Sequence, residues 1–145
     1  MKQSAKHLLS LWSPVLAQMA LIFFFSAQPA GTPVLQKFPF TAEIGHFGGY
    51  ALLSLLLYRA LAGGFRQWST RAAVGAVLCA VLYGCSDELH QYFVPGREPA
   101  WSDLLVDGAG AAAAAGACRL IVYFREKLAR ARAEGRPVSH GEGEE

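Results

Sequence analysis

The sequence predicts an all-α fold, a polytopic membrane bundle of four transmembrane helices with both termini in the cytoplasm. Three observations carry that expectation. Of 145 residues, 53% are hydrophobic and only 17% charged, where an average globular chain carries about 25% charged residues. The apolar residues gather into four long runs rather than alternating with polar ones. The basic residues collect on one side of those runs, and 11 of 13 fall there once the chain is threaded back and forth four times.

The first run covers residues 8–27. At roughly 1.5 Å of rise per residue it crosses a hydrocarbon core of about 30 Å. Lys2 and Lys6 precede it, as they would a signal peptide. The apolar stretch exceeds the usual span of about 7–15 residues, and Pro29 crowds a cleavage after Ala27, so a retained span is expected. The second run, residues 44–61, opens on Gly45, Gly48 and Gly49. The third, residues 72–89, has VGAVLCAVLYGC at its heart. The fourth, residues 104–124, carries Asp107 near its start and GAGAAAAAGA in its middle. There Gly108, Ala112 and Gly116 recur every four residues, a face that allows close helix approach. Poly-Ala is weakly hydrophobic, so this helix is expected inside the bundle rather than against lipid.

Orientation follows from the positive-inside rule. Lys2 and Lys6 lie before the first span, Arg59, Arg66 and Arg71 between the second and third, and Arg119, Arg125, Lys127, Arg130, Arg132 and Arg136 at or beyond the end of the fourth. Lys37 and Arg97 lie opposite. Trp12, Trp68 and Tyr123 suit the inner interface, Tyr92 and Trp101 the outer one. The expected organisation is a transmembrane domain over residues 1–124 and a basic-then-acidic cytoplasmic tail over residues 125–145, largely disordered. A multi-pass protein of the bacterial cytoplasmic membrane is expected, with the lipid bilayer as its partner and no nucleic-acid partner. The oligomeric state is left open. Cys79, Cys85 and Cys118 all lie in apolar segments and read as small packing residues.

One stretch breaks the apolar pattern: SDELHQYFVPGREPAWSD, residues 86–103. In the threading above it joins the outer ends of the third and fourth spans. Glu43 and His46 open the second span at that same level, Asp87, Glu88, His90 and Gln91 close the third, and Asp103 and Asp107 open the fourth. Ionisable groups at membrane depth are costly and face a bundle interior, where they pair with one another. Helical spacing places Asp103 and Asp107 on one face, and aligns Glu43, His46 and Tyr50 along another. Glu88 and His90 are two apart and point away from each other. Pro95-Gly96 is a turn dipeptide, expected to aim Arg97 back at the acids. Each residue also has a blander reading: Ser102 or Asp103 as a helix cap, His46 as an interfacial histidine, Glu98 and Lys37 as solvated charges. The convergence of three helix ends favours a joint site.

In four pieces the chain resembles the VanZ-like membrane proteins of bacteria: FSAQP at residues 25–29, EIGHFGGYALLSLLL at 43–57, SDELHQYFVPGR at 86–97 and WSDLLVDGAG from Trp101. That pattern runs as Ser-x-Gln, His-Phe-x-x-Tyr, Asp-Glu-x-x-Gln-x-Phe-x-Pro-x-Arg and Asp-x-x-x-Asn-x-x-Gly. This chain has Asp107 where the pattern usually has Asn. The resemblance implies an envelope role and a shared site at His46, Tyr50, Asp87, Glu88, Gln91, Arg97, Asp103 and Asp107. The founding member of the family is linked to low-level resistance to the glycopeptide teicoplanin.

Three functional readings stand at this point. The outer cluster recognises a lipid-linked or glycopeptide-type ligand, with Arg97 on an anionic group and Trp101 or Tyr92 along its apolar part. Alternatively, it is a small intramembrane acid/base enzyme on a lipid-linked substrate, with Glu88, Asp103 and His46 as the catalytic candidates. Or the polar groups merely lock helices together. No HExxH and no G-x-S-x-G occurs. An ion held by His46, Glu88, His90 and Asp103 is a lesser alternative, and neither metal nor cofactor is expected.

Overall fold

A computed structural model describes residues 4–33 and 42–134. Lys37, His140 and the acidic part of the tail lie outside the described residues. Four long helices occur in it: α1 (Ala5–Ser26), α2 (Ala42–Ala62), α3 (Thr70–Gln91) and α4 (Trp101–Glu134). Each corresponds to one expected span, α1 ending at Ser26, one residue short of the first. α4 continues as helix past residue 124, so the basic residues 125–132 ride on it.

Local chemistry sets the helix starts. Ser4 and Ser69 act as N-caps, their side-chain oxygens accepting from the backbone N–H of His7 and Ala72. Gln28 and Pro29 follow the end of α1, and a residue before proline is driven out of helical geometry. Among the described residues, three helices are long and apolar enough to cross a membrane: Ala5–Ser26, Thr70–Gln91 and Trp101–Arg132. α2 falls outside that set, because Glu43, His46, Arg59 and three glycines dilute its apolar residues.

The burial pattern explains that difference. α1 buries Leu11, Val15, Gln18 and Ser26, a single seam, while Leu9, Leu16, Phe23 and Phe24 stay exposed. Large apolar side chains on the outside suit a multi-pass membrane protein whose solvent is lipid. α2 instead packs against α1, α3 and α4, and Tyr50, Leu53, Ser54, Leu57 and Tyr58 are all buried. The innermost helix can carry polar groups such as the Gln18-bonded Gly49 carbonyl, Ser54 and Tyr58 at this depth because they have protein partners.

This corrects the expectation for the alanine-rich helix. Ala112, Gly116 and Ala117 on α4 are exposed, and nothing lies within 4 Å of a Cβ placed at Gly116. The contact face runs through Asp107, Gly110, Ala111, Cys118 and Val122. At Gly110 the backbone of Phe47 in α2 comes so close that no Cβ would fit. One residue on, Ser54 donates to the carbonyl of Ala111 at 3.0 Å. The small-residue rule holds, but on the register that begins at Gly110. Which face turns inward is set by partners on α2, not by the spacing of small residues alone.

Successive helices run antiparallel. At one end, hereafter the basic end, Arg59 of α2 donates to the Ser10 carbonyl of α1 at 3.1 Å. Tyr58 stacks on Trp68 at 5.5 Å, and its hydroxyl donates to the Gln67 carbonyl and accepts from the Ser69 N–H. Arg119 of α4 lies over the Trp68 ring at 5.3 Å. Midway, Gln18 of α1 donates to the Gly49 carbonyl of α2 at 3.1 Å, and Tyr83 of α3 to the Met19 carbonyl of α1 at 2.8 Å. Of the cysteines, Cys118 is buried as a packing residue, whereas Cys79 and Cys85 are exposed.

Candidate functional site

The opposite end gathers the C-termini of α1 and α3 and the N-termini of α2 and α4. Here the expected convergence occurs. His46 enters from α2 and lies between two carboxylates one helical turn apart on α4. Its Nδ1 is 3.0 Å from Asp107 Oδ1, and its Nε2 is 3.8 Å from Asp103 Oδ2. The Asp107 side chain has 0% exposure, that of His46 14% and that of Asp103 26%. The cluster therefore grades from the bundle interior to its rim along α4.

A glycine on α3 makes room for the deepest member. A Cβ built at Gly84 would stand 3.0 Å from Asp107 Oδ2 and 3.4 Å from Tyr50 Cε1. Tyr50 is buried, with its ring parallel to His46 at 6.3 Å. One turn further on the same face of α3 is Glu88. Its Oε2 accepts from the Ala100 N–H at 3.0 Å, so α3 anchors the start of α4 with a carboxylate where the helix dipole favours one. The expectation that Ser102 or Asp103 caps α4 thus gives way to a cap supplied from another helix, while Ser102 Oγ donates to Asp103 itself. Gln91 donates to Asp87 Oδ2 at 3.1 Å and to Glu88 Oε1 at 3.5 Å, linking the two acids. Within the cluster, the buried oxygens Tyr50 Oη, Asp87 Oδ1 and Asp107 Oδ2 have no hydrogen-bond partner among the described residues.

Arg97 departs from expectation. The turn forms as the dipeptide predicts: Gly96 has φ +75° and the Arg97 N–H reaches the Val94 carbonyl at 3.1 Å. That turn also docks on the end of α1, where Ala30 N–H meets the Pro95 carbonyl at 3.4 Å. The guanidinium consequently faces α1 and not the acids. Nε donates to the Gln28 carbonyl and Nη2 to the Phe25 carbonyl, both at 3.1 Å. It adds a further donor to the Phe25 carbonyl, which also accepts from the Gln28 N–H, and reaches the Gln28 carbonyl just past the end of α1. His90 also turns to α1, stacking on Phe23 at 4.5 Å. Glu43 is exposed at the start of α2.

Beside the cluster, between α3 and the start of α4, lies a groove of about 330 Å³ lined by Cys85, Glu88, Leu89, Tyr92, Pro99, Ala100, Trp101 and Leu104. Its walls are mostly apolar and Glu88 is their one carboxylate. Trp101 is 83% exposed at its edge. Glu88 thus belongs to both the groove and the polar cluster. Gly84, Leu89 and Leu104 had no chemical signature to single them out. The spacing of Gly84 four residues before Glu88 was the available sign for the first.

The family model described as VanZ/LLP1 matches residues 11–122. That interval reaches into all four helices and includes every residue of the cluster. No curated protein and no solved structure matches the chain.

Proposed function

Because the chain belongs to the VanZ/LLP1 family, whose pattern residues meet at one end of this bundle, we propose that it is an envelope membrane protein that receives a lipid-linked ligand at that end. The observation that carries this reading is the position of Glu88. It stands in the wall of an apolar groove and in contact with the start of α4, next to the His46–Asp107–Asp103 cluster. A ligand with an apolar tail and a polar head has matching surfaces there: Leu89, Tyr92, Trp101 and Leu104 for the tail, the cluster for hydrogen-bonding groups of the head. Ligand pockets combine mainly apolar walls with a few placed polar groups in this way.

The site faces outward in this proposal. Arg59, Arg66, Arg71 and Arg119 lie at the other end, and basic residues concentrate on the cytoplasmic side. Peptidoglycan precursors and glycopeptides meet at the outer leaflet, so reduced teicoplanin susceptibility is the cellular readout that the family likeness suggests. The test is purification of the full chain in native lipid, with mass spectrometry of the lipids that accompany it. A specific lipid-linked species should co-purify with wild type and fall in Glu88→Gln and Trp101→Ser. The same lipid profile in all three would overturn the reading.

A second reading has its own observation. His46 sits between two carboxylates, one fully buried and one at the rim, an arrangement that suits proton transfer to a bound substrate. Turnover of the co-purified lipid by wild type, lost in His46→Gln while the lipid still binds, would make the site an intramembrane acid/base enzyme.

A further inference from the structure

We infer that His46, Glu88 and Asp107 form a binding site for one divalent cation of the manganese–zinc class. The site lies within the cluster assigned above to ligand binding and deepens that reading. One ligand atom from each of the three residues lies within 4.8 Å of the others. The residues come from three different helices, so an ion would tie α2, α3 and α4 together at one point. Donor atoms around a small divalent ion at about 2.1 Å are roughly 3–4 Å apart, so only a small inward movement is required.

Charge accounting supports an ion independently of that geometry. Among the described residues, Glu88, Asp103 and Asp107 gather around the His46 imidazole, and Asp87 joins them through Gln91. Arg97, the cation that the turn brings nearby, is committed to the carbonyls of Phe25 and Gln28. Asp107 is fully buried, and its Oδ2 points toward α3 beside Gly84 with no hydrogen-bond partner among the described residues. A buried carboxylate oxygen without a partner is costly, and more so within a membrane. A positive charge in the same gap relieves that cost and the mutual repulsion of the acids.

Donor chemistry narrows the ion. Calcium and magnesium prefer all-oxygen shells, whereas imidazole with carboxylates suits manganese or zinc. Asp103 Oδ2 lies 3.8 Å from His46 Nε2, so a small approach would let it hold the ring as carboxylates beside metal-binding histidines do. The ion considered from the sequence used His46, Glu88, His90 and Asp103; here His90 stacks on Phe23 instead, and Asp107 completes the group.

The experiment uses the full chain in lipid nanodiscs, freed of metal and then titrated with MnCl2 or ZnCl2. Calorimetry counts the sites, and pulsed electron paramagnetic resonance of the manganese form reports bound nitrogen. One ion per chain is expected, with the signal of a single imidazole nitrogen. Affinity should fall by more than about tenfold in Glu88→Gln and Asp107→Asn, and the nitrogen signal should vanish in His46→Gln. Circular dichroism verifies that each variant is folded, and Glu88→Gln, which keeps an acceptor for Ala100, guards against loss through misfolding. Absence of saturable binding in wild type would overturn the site, as would unchanged affinity in the folded variants. Lipid co-purification is read on the same samples, so a failed ion site and a failed lipid site give different results.

Discussion

The imidazole of His46 and the carboxylate of Asp107 meet at 3.0 Å, joining α2 to α4 across 61 positions of chain. Asp107→Asn retains an oxygen that can accept from Nδ1–H, and Asn is the usual residue of the family pattern. That variant is expected to unfold within about 1 kcal/mol of wild type. Asp107→Leu removes the acceptor from a half-buried ring and is expected to cost about 3 kcal/mol. Thermal unfolding in detergent, followed by circular dichroism, measures both. Equal stability of the Leu and Asn variants would show that the pair contributes nothing to the bundle.

Two glycines on α4 make opposite predictions. At Gly110 the Phe47 backbone leaves no space for a Cβ, while at Gly116 there is nothing within 4 Å. Gly110→Ala is expected to force α2 and α4 apart at a cost of about 1–3 kcal/mol. Gly116→Ala is expected to be neutral or to stabilise by up to about 1 kcal/mol through helix propensity. The same melting measurement decides, and the ordering of the two variants is the test.

Arg97 braces rather than reads a ligand in this geometry, with two nitrogens on the carbonyls of Phe25 and Gln28. Lysine cannot reproduce that fork. Arg97→Lys and Arg97→Met should both destabilise, by about 1–3 kcal/mol, while co-purified lipid per folded chain stays at the wild-type level. Loss of lipid from a fully stable Arg97→Lys protein would instead make the guanidinium a ligand contact.

Glu88 anchors α4 through one oxygen and faces the groove. Glu88→Gln keeps an acceptor for the Ala100 N–H, so its melting should differ from wild type by less than about 1 kcal/mol, whereas Glu88→Leu leaves that N–H without its acceptor and should lose about 1–3 kcal/mol. A purely structural cluster would show no functional difference between wild type and Glu88→Gln.

Local sequence by itself determined the helices. Four apolar runs fixed the four described helices, three of which are long and apolar enough to span lipid. Serine caps and the Pro95-Gly96 turn fixed where segments start and reverse. The alternation of basic and polar ends fixed which helix ends share a layer, so the meeting of His46, Glu88, Asp103 and Asp107 was legible. Tertiary structure decided how each helix is rotated about its axis and where the loops lean. Those choices depend on partners far away in sequence. The Phe47 backbone selects Gly110 instead of Gly116. The α1 carbonyls draw Arg97 away from the acids, and Phe23 takes His90 out of the cluster. Repeated small residues offer several faces of similar apolarity, and a long arginine reaches several acceptors. Spacing alone cannot rank such choices, because the free energy that separates them comes from packing and hydrogen bonds made only when the four helices are together.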